Sequence, residues 1–177
     1  MTKFHYLRAA MLVLCGYSFS NATHAECLDN LPQATPSSRF SIAEGTAIDT
    51  QTGLIWLRCT LGQRWNSTNQ QCELNSQQAR TYSWGEALTA ADNLTEAGFN
   101  DWRLPNKNEL ASIIEHACTG PAINEEVFPS TALGGFWSST PGRRDPGLAW
   151  HVNFATGTLI NREMSAAFSV HVVRNPE

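Results

Sequence analysis

Apolar residues at helical spacing occur in two stretches near the middle of the chain. The first stretch follows a capping box at Ser83–Glu86, ends before Gly98, and contains Ala87, Leu88, Ala91 and Leu94. The second follows a similar box at Asn106–Glu109 and contains Leu110, Ile113, Ile114 and Ala117. Intervals of three and four residues place each apolar set on one helical face. The pattern predicts two amphipathic helices, one between Ser83 and Gly98 and one from Asn106 to Ala117.

The segment Asp101–Asn106 (Asp-Trp-Arg-Leu-Pro-Asn) links the two predicted helices. Pro105 keeps Leu104 extended, because the residue before a proline is disfavoured in the helical region. Trp102 and Leu104 alternate with two charged residues, as on a half-buried strand. We expect this segment to be a rigid scaffold that fixes the angle between the helices, with Trp102 in the core and not a ligand platform.

Alternation of apolar and polar residues predicts strands on both sides of the helices. Before them, Thr46–Asp49 and Leu54–Arg58 flank a turn that ends in glycine, which is typical of a β-hairpin. After them, strand-like stretches occur at 136–140, 148–154, 158–162 and 168–172. Helices and strands that do not alternate as βαβ units predict an α+β fold, with two helices packed on small antiparallel sheets.

Residues 60–82 are mostly polar and show no periodic pattern, so they predict a long loop. A loop of this length in a compact domain is usually functional or held by a crosslink. Trp65 lies within it and has two interpretations. It either stacks on a ligand sugar or covers the hydrophobic edge of the loop, and the sequence leaves both open.

Five short motifs occur in order along the chain: Gly53–Trp56, Asp101–Asn106, Glu109–Leu110, Phe136–Ser139 and Val172–Arg174. In these motifs the sequence resembles the domain family at the C-terminus of the Legionella collagen-like adhesin, over about residues 38–175. That family is similar to the C-type-lectin-like superfamily, in its formylglycine-generating-enzyme branch, where a similar Arg-Leu-Pro segment opens a helix.

The resemblance implies a C-type-lectin-like α+β fold with long loops. It also implies binding of sulfated polysaccharides at a cell surface, as in the adhesin. We expect the most distinctive motif residues to be structural and not ligand-binding: Trp56, Trp102, Arg103, Leu104, Pro105, Trp137 and Arg174.

The first 25 residues have the features of a secretory signal peptide. Lys3 and Arg8 precede a short apolar run at 9–16, and Thr23–Ala25 supplies the small residues that cleavage requires. The apolar run is too short to span a bilayer, and no later stretch is long and apolar enough to do so. We predict a periplasmic or secreted protein cleaved after Ala25, with residues 26–38 as an N-terminal arm and residues 39–177 as a single domain.

Four cysteines remain once the predicted signal peptide is removed: Cys27, Cys59, Cys72 and Cys118. An even number in an exported chain indicates two disulfides, for which three pairings exist. We favour a Cys59–Cys72 bridge, which would close the aperiodic loop, and a Cys27–Cys118 bridge, which would tie down the N-terminal arm. The sequence alone does not exclude the other two pairings.

The net charge argues against nucleic acid as a partner. Removal of Lys3 and Arg8 leaves 10 of the 12 basic residues against 16 acidic residues, a net charge of −6. Binding to nucleic acid rests on neutralisation of phosphates by lysine and arginine, which an acidic chain opposes overall. A sulfated ligand therefore requires a local cluster of basic residues.

No strong catalytic or cofactor-binding pattern is present in the sequence. The relatives that generate formylglycine use reactive cysteines, whereas plausible disulfides account for all four cysteines here. There is no serine nucleophile elbow, phosphate-binding loop or dinucleotide fingerprint, and His116 with Cys118 matches no usual zinc spacing. Loop oxygens near Asn124, Glu125 and Glu126 suit calcium, although a solvated acidic loop is the better interpretation. We predict no cofactor and no catalysis.

The most suggestive binding residues are Arg143 and Arg144, in a loop bounded by proline and glycine, with Arg162 on a neighbouring hairpin. Arginine matches planar anionic groups with two parallel hydrogen bonds. With Trp65, these residues predict a binding module that recognises a polysaccharide or a surface protein. An enzyme with an unrecognised active site and a structural subunit of a surface assembly are the alternatives, and the sequence leaves the oligomeric state open.

Overall fold

The computed structural model describes residues 25–74 and 80–176 of the chain. Most of the predicted signal peptide, residues 1–24, lies outside the described residues. Within the described residues, no helix has both the length and the apolar character needed to cross a membrane. Two disulfides, which are typical of proteins in oxidising compartments, join Cys27 to Cys118 and Cys59 to Cys72. These are the two pairs favoured from the sequence.

The described residues form short strands and two short α-helices. The strands are β1 (Glu26–Cys27), β2 (Phe40–Ala43), β3 (Thr46–Asp49), β4 (Ile55–Leu57), β5 (Gln63–Asn66), β6 (Gln71–Leu74), β7 (Cys118–Thr119), β8 (Gly135–Pro141), β9 (Leu148–Asn153), β10 (Thr158–Glu163) and β11 (Val173–Arg174). The helices are α1 (Trp84–Asp92) and α2 (Lys107–Ala111).

Two antiparallel sheets form the body of the domain. The first has the strand order β11-β4-β3-β2, and the second has the order β10-β9-β8. Two smaller pairs, β1 with β7 and β5 with β6, lie beside them. The predicted α+β class, with small antiparallel sheets, two helices and disulfide bridges, is confirmed.

The apolar side chains form two separate clusters that share the same strands. Trp56, Phe136 and Val173 are fully buried in the first cluster. Their immediate neighbours in the sequence lie in the second cluster, and these are Leu57, Trp137 and Val172. Successive side chains of extended chain point to opposite faces, so β4, β8 and the pair Val172–Val173 at the start of β11 each contribute to both clusters.

In the segment Asp101–Asn106, Trp102, Leu104 and Pro105 are buried, whereas the two end residues are exposed. Trp102 is 1% exposed, and its indole N–H donates to the carbonyl of Glu96 at 3.0 Å. Arg103 exchanges two backbone hydrogen bonds with Val173, at 2.9 and 3.0 Å, which fixes the segment to the C-terminal strand. The ring of Trp102 is therefore part of the second cluster.

The predicted helices are too long in both cases. Helix α1 ends at Asp92, because the amide of Leu94 bonds the carbonyl of Ala91 and the chain turns away. Helix α2 ends at Ala111, although the three following apolar positions of the predicted face are buried: Ile113, Ile114 and Ala117. The amide of Glu115 bonds the carbonyl of Ala122 instead of continuing the helix. Burial was predicted correctly, and the helical backbone was not.

The prediction of a long loop over residues 60–82 is wrong in its first half. Strands β5 and β6 pair as a hairpin there, with Trp65 opposite Cys72. The bridge between Cys59 and Cys72 anchors this hairpin to the end of β4. Both strands are mainly polar, and few of their residues reach the core. The hairpin therefore shows no alternation of apolar and polar residues in the sequence. Residues 75–79 lie outside the described residues.

The buried carboxylate of Glu115 holds the N-terminal arm against the domain. It accepts hydrogen bonds from the amides of Ala34 at 3.0 Å, Thr35 at 2.8 Å and Ala117 at 2.9 Å. Burial acts to raise the pKa of Glu115, but the hydrogen bonds from these amides outweigh it, so the pKa lies below its ordinary value. The Cys27–Cys118 bridge attaches the arm at a second point.

Candidate ligand-binding face

The register of the three-stranded sheet places the candidate arginines at one end of it. Pro141 on β8 lies opposite Ala149 on β9, and Ala149 lies opposite Arg162 on β10. Adjacent strands are about 4.8 Å apart, so Pro141 and Arg162 are separated by about 10 Å. The loop that carries Arg143 and Arg144 begins immediately after Pro141. All three guanidinium groups therefore belong to the same end of the sheet.

Arg143 and Arg144 are exposed, and neither side chain makes a hydrogen bond or an ion pair with another described residue. The backbone of their loop is closed by Gly142, whose amide donates to the carbonyl of Leu148 at 2.6 Å. Asp145, the acidic residue of the loop, accepts a hydrogen bond from the amide of Gly147 at 2.9 Å. This loop presents two unpaired cations from a fixed base.

Arg162 is exposed on the outer strand of the same sheet. It donates only to the carbonyl of Asn161, at 3.1 Å. Its charge also acts on His151, whose pKa lies below its ordinary value because of burial first and the charge of Arg162 second. His151 stacks on Phe168 with ring centroids 4.4 Å apart. The histidine is thus a neutral core residue, and the arginine is free to meet a ligand.

Trp65 lies on β5, which among the described residues pairs only with β6, so it does not share a sheet with the three candidate arginines. It packs on Gly45, and the guanidinium of Arg58 lies over its ring, 4.0 Å from the ring centroid. Arg58 is itself buried and donates to the carbonyls of Glu44 and Val127, at 3.1 and 2.9 Å. Of the two interpretations of Trp65, this geometry favours the cover of a hydrophobic edge, because Arg58 occupies one face of the indole.

The remaining motif residues have structural partners. Trp56 and Trp137 are both 0% exposed. Arg174 donates to Asp101 at 2.7 Å, and its guanidinium lies 3.9 Å from the ring centroid of Phe99. The hydrogen bond from Arg174 is the largest cause of the lowered pKa of Asp101. These contacts tie the C-terminal strand to the segment that joins the helices.

The oxygens considered for calcium already have partners within the protein. The side chain of Asn124 donates to the carbonyl of Thr35 at 2.8 Å, and Glu126 accepts a hydrogen bond from Ser37. The carboxylate of Glu125 accepts from the amide of Ala25 at 2.8 Å. Over residues 25–74 and 80–176, no group of three or more histidine, cysteine or acidic side chains is placed to hold a metal ion. The acidic loop instead holds the N-terminal arm.

An open groove lies beside α1, next to the segment Asp101–Asn106. Its volume is about 710 Å³, and it is lined by Leu88, Thr89, Asp92, Arg103, Leu104, Asn106, Glu109, Ser139 and Asn175. No sequence pattern indicated this groove, because its walls come from four separate parts of the chain. Arg103 and Asn106 in its wall belong to the motif that carries the resemblance.

The sequence model of the Lcl C-terminal domain family matches residues 45–174, most of the chain. The chain belongs to that family. All three candidate arginines, Trp65 and the groove residues up to Ser139 lie inside the matched region of this Lcl C-terminal domain protein, whereas the N-terminal arm lies outside it. A comparison with curated proteins gives no match.

Proposed function

We propose that this Lcl C-terminal domain protein is an exported, non-catalytic binding module that recognises a polysaccharide, including sulfated glycans, in surface adhesion. The observation that carries the proposal is the position of Arg143, Arg144 and Arg162 at one end of a three-stranded sheet. None of the three guanidiniums has a carboxylate partner among the described residues. Unpaired guanidiniums on a rigid base suit sulfate and carboxylate groups of a glycan.

The local charge has to overcome the net charge of the protein. The chain without the proposed signal peptide has a net charge of −6, so an anionic polymer is repelled at long range. Charges are screened beyond about 10 Å at 0.1 M ionic strength, so the repulsion fades before contact while the arginines act at contact. Binding should weaken as the salt concentration rises, because the contacts between the arginines and the anionic groups of the glycan are ionic.

The wider assignment also rests on the sequence. We infer a C-type-lectin-like fold from the Arg-Leu-Pro segment that opens α2. We infer export from the basic and apolar features of residues 1–25, and the two disulfides are compatible with an oxidising compartment. Sequencing of the N-terminus of the exported protein tests this inference. It should begin at Glu26, and an intact Met1 or a lipid-modified cysteine would contradict it.

The binding proposal is tested by titration of residues 26–177 with dextran sulfate and with unmodified dextran at two salt concentrations. We expect dextran sulfate to bind more tightly at low salt. The variant Arg143→Ala/Arg144→Ala should lose at least tenfold in affinity, because it removes both loop cations. The matched control is Arg64→Ala/Arg80→Ala, which removes the same charge from two exposed residues elsewhere in the chain and should bind as the wild type does.

Two results would contradict the proposal. Absence of binding to both polymers would leave a surface protein as the better partner. Equal losses in the two double variants would mean that only the net charge matters and that the arginine loop is not a site.

A further inference from the structure

The groove beside α1 has the composition of a site for an uncharged polar ligand. Leu88 is half-buried and provides apolar surface, whereas Leu104 is only 3% exposed and closes the floor of the groove. The amide nitrogens of Asn106 and Asn175 and the hydroxyl of Ser139 donate no hydrogen bond to any described residue. Ligand sites combine apolar surface with a few polar groups that converge, and they occupy about 300–1,000 Å³. The groove, at about 710 Å³, falls within that range.

The charged residues that line the groove are one cation, Arg103, and two carboxylates, Glu109 and Asp92. Arg103 and Glu109 are paired by two hydrogen bonds of 2.8 Å, so the arginine is not a free cation. Asp92 also lines the groove and makes no hydrogen bond or ion pair with a described residue. One unpaired carboxylate repels anionic groups from the interior of the groove, whereas it can accept hydrogen bonds from hydroxyls.

Strand β8 connects the groove wall to the loop of Arg143 and Arg144, since Ser139 lies on this strand and the loop follows its end. Ser139 in the groove wall is held by its amide, which donates to the carbonyl of Pro105 at 2.8 Å. The next residue, Thr140, accepts the amide of Lys107 at 3.0 Å. Four residues of extended chain span at most about 14 Å and five at most about 18 Å, so the backbones of Arg143 and Arg144 lie within these distances of Ser139.

Lys107 stands between the two regions. It follows Asn106 in the groove, and its ammonium lies 4.5 Å from the ring centroid of Trp150. The ring attracts the ammonium and so fixes a positive charge beside Asn106. The surface therefore changes from acidic in the groove to positive at the loop.

We propose that the groove is a second subsite, which takes uncharged, hydroxyl-bearing units of a glycan whose anionic groups lie on Arg143 and Arg144. This inference rests on the proposed function and adds to it the path of the chain across the surface. Hydroxyls of the glycan meet Asn106, Asn175, Ser139 and Asp92, and a sugar face packs on the apolar surface. The two subsites contribute differently to the affinity, since only the contribution of the arginine loop depends on salt.

The test uses a variant that fills the groove. Thr89 is exposed on α1 and lines the groove, so Thr89→Trp blocks it without a change of charge. Thr95→Trp is the matched control, because Thr95 is exposed and does not line the groove. We expect Thr89→Trp to lower the affinity for dextran sulfate at least tenfold at both salt concentrations, with the salt dependence unchanged. Arg143→Ala/Arg144→Ala should instead reduce the salt dependence.

A second variant should raise the affinity, and damage to the fold cannot explain a gain in affinity. Asp92→Asn removes the unpaired carboxylate and should raise the affinity for dextran sulfate two- to threefold, with little effect on unmodified dextran. Wild-type affinity in Thr89→Trp, or no gain in Asp92→Asn, would overturn the groove subsite and leave the arginine loop as the site. Failure of the wild type to bind either polymer would overturn both proposals.

Discussion

Arg103 donates two parallel hydrogen bonds to Glu109, each 2.8 Å long, across the start of α2. Glu109 also accepts the amide of Asn106 at 2.7 Å, so the same carboxylate caps the helix and binds the arginine. Burial acts to raise the pKa of Glu109, but the hydrogen bonds from Arg103 and Asn106 outweigh it and the pKa lies below its ordinary value. Arg103 also bonds the side chain of Asn175 at 2.7 Å. One ion pair thus joins the helix, the linking segment and the C-terminus.

The substitution Arg103→Lys should destabilise the domain although it keeps the charge. A lysine ammonium cannot reproduce the two parallel hydrogen bonds, and we expect a loss of about 1–2 kcal/mol in the free energy of unfolding. Urea denaturation of the two proteins at pH 7 measures this loss. Arg64→Lys, at an exposed position on β5, is the control and should leave the midpoint unchanged. An unchanged midpoint in Arg103→Lys would show that the fork geometry is not needed.

The role of this pair shows what the sequence could and could not predict. The two capping boxes are local features, and the structure contains both of them. The partners of Arg103 and Arg174 depend on where the C-terminal strand returns, which no local pattern specifies. For the same reason, the buried ion pair of Arg39 with Asp49 was not predicted.

In the candidate site, too, the local features could be predicted from the sequence and the long-range contacts could not. The exposure of Arg143 and Arg144 follows from a loop with glycine and proline at both ends, and the sequence predicted it. The groove could not be predicted, since Asp92, Ser139 and Asn175 are distant in the chain and meet only after the sheets form. The β5–β6 hairpin was missed because a disulfide, not an apolar face, holds it.

Trp102→Ala should destabilise the domain strongly. The ring is 1% exposed and packs edge-on against Phe99, with centroids 6.3 Å apart. Truncation of a fully buried tryptophan costs about 3–5 kcal/mol. Thermal melting measures the loss, and Trp150→Ala, at a half-exposed tryptophan, should cost less. A Trp102→Ala variant with the wild-type melting temperature and impaired binding would identify Trp102 as a ligand residue.

The stability of the fold should fall as the pH drops from 7 to 5. Complete burial among aromatic rings lowers the pKa of His171 to about 3, so this histidine stays neutral in the folded state. In the unfolded chain its pKa is about 6.5, so the unfolded state alone takes up the proton below that pH. Each pH unit below 6.5 then costs about 1.4 kcal/mol, which gives about 2 kcal/mol at pH 5. Burial lowers the pKa of His151 in the same direction.

Denaturation at several pH values measures this dependence. His171→Leu should flatten the curve between pH 7 and pH 5, and His116→Gln, at an exposed histidine, should not. Asp49 and Glu115 do not add to the pH dependence between pH 7 and pH 5, because their pKa values in the folded state lie below their ordinary values. Their contribution to stability is complete above about pH 5, because the ordinary pKa values are 3.8 for Asp49 and 4.5 for Glu115, and it is lost only at lower pH. A wild-type slope in His171→Leu would show that another group takes up the proton.

Residues 26–177 should contain no free thiol after folding under oxidising conditions. Both bridges are formed in the structure, with sequence separations of 91 and 13 residues. Labelling with a thiol reagent in denaturant without reductant should give no product, and full labelling should require reduction. Peptide mapping should find the pairs Cys27–Cys118 and Cys59–Cys72. A Cys59–Cys118 peptide would contradict the pairing and not the presence of two bridges.

The sharing of three strands between the two apolar clusters has a consequence for cooperativity. Loosening of β4, β8 or the pair Val172–Val173 removes a side chain from both clusters at once, as with Phe136 and Trp137 on β8. Neither half of the domain can therefore melt while the other stays native, and partly open forms are poorly populated. Exposed loops such as the one with Arg143 contribute little to either cluster. Their sequence can diversify from one relative to another, and with it the ligand, while the unfolding equilibrium of the scaffold stays nearly constant.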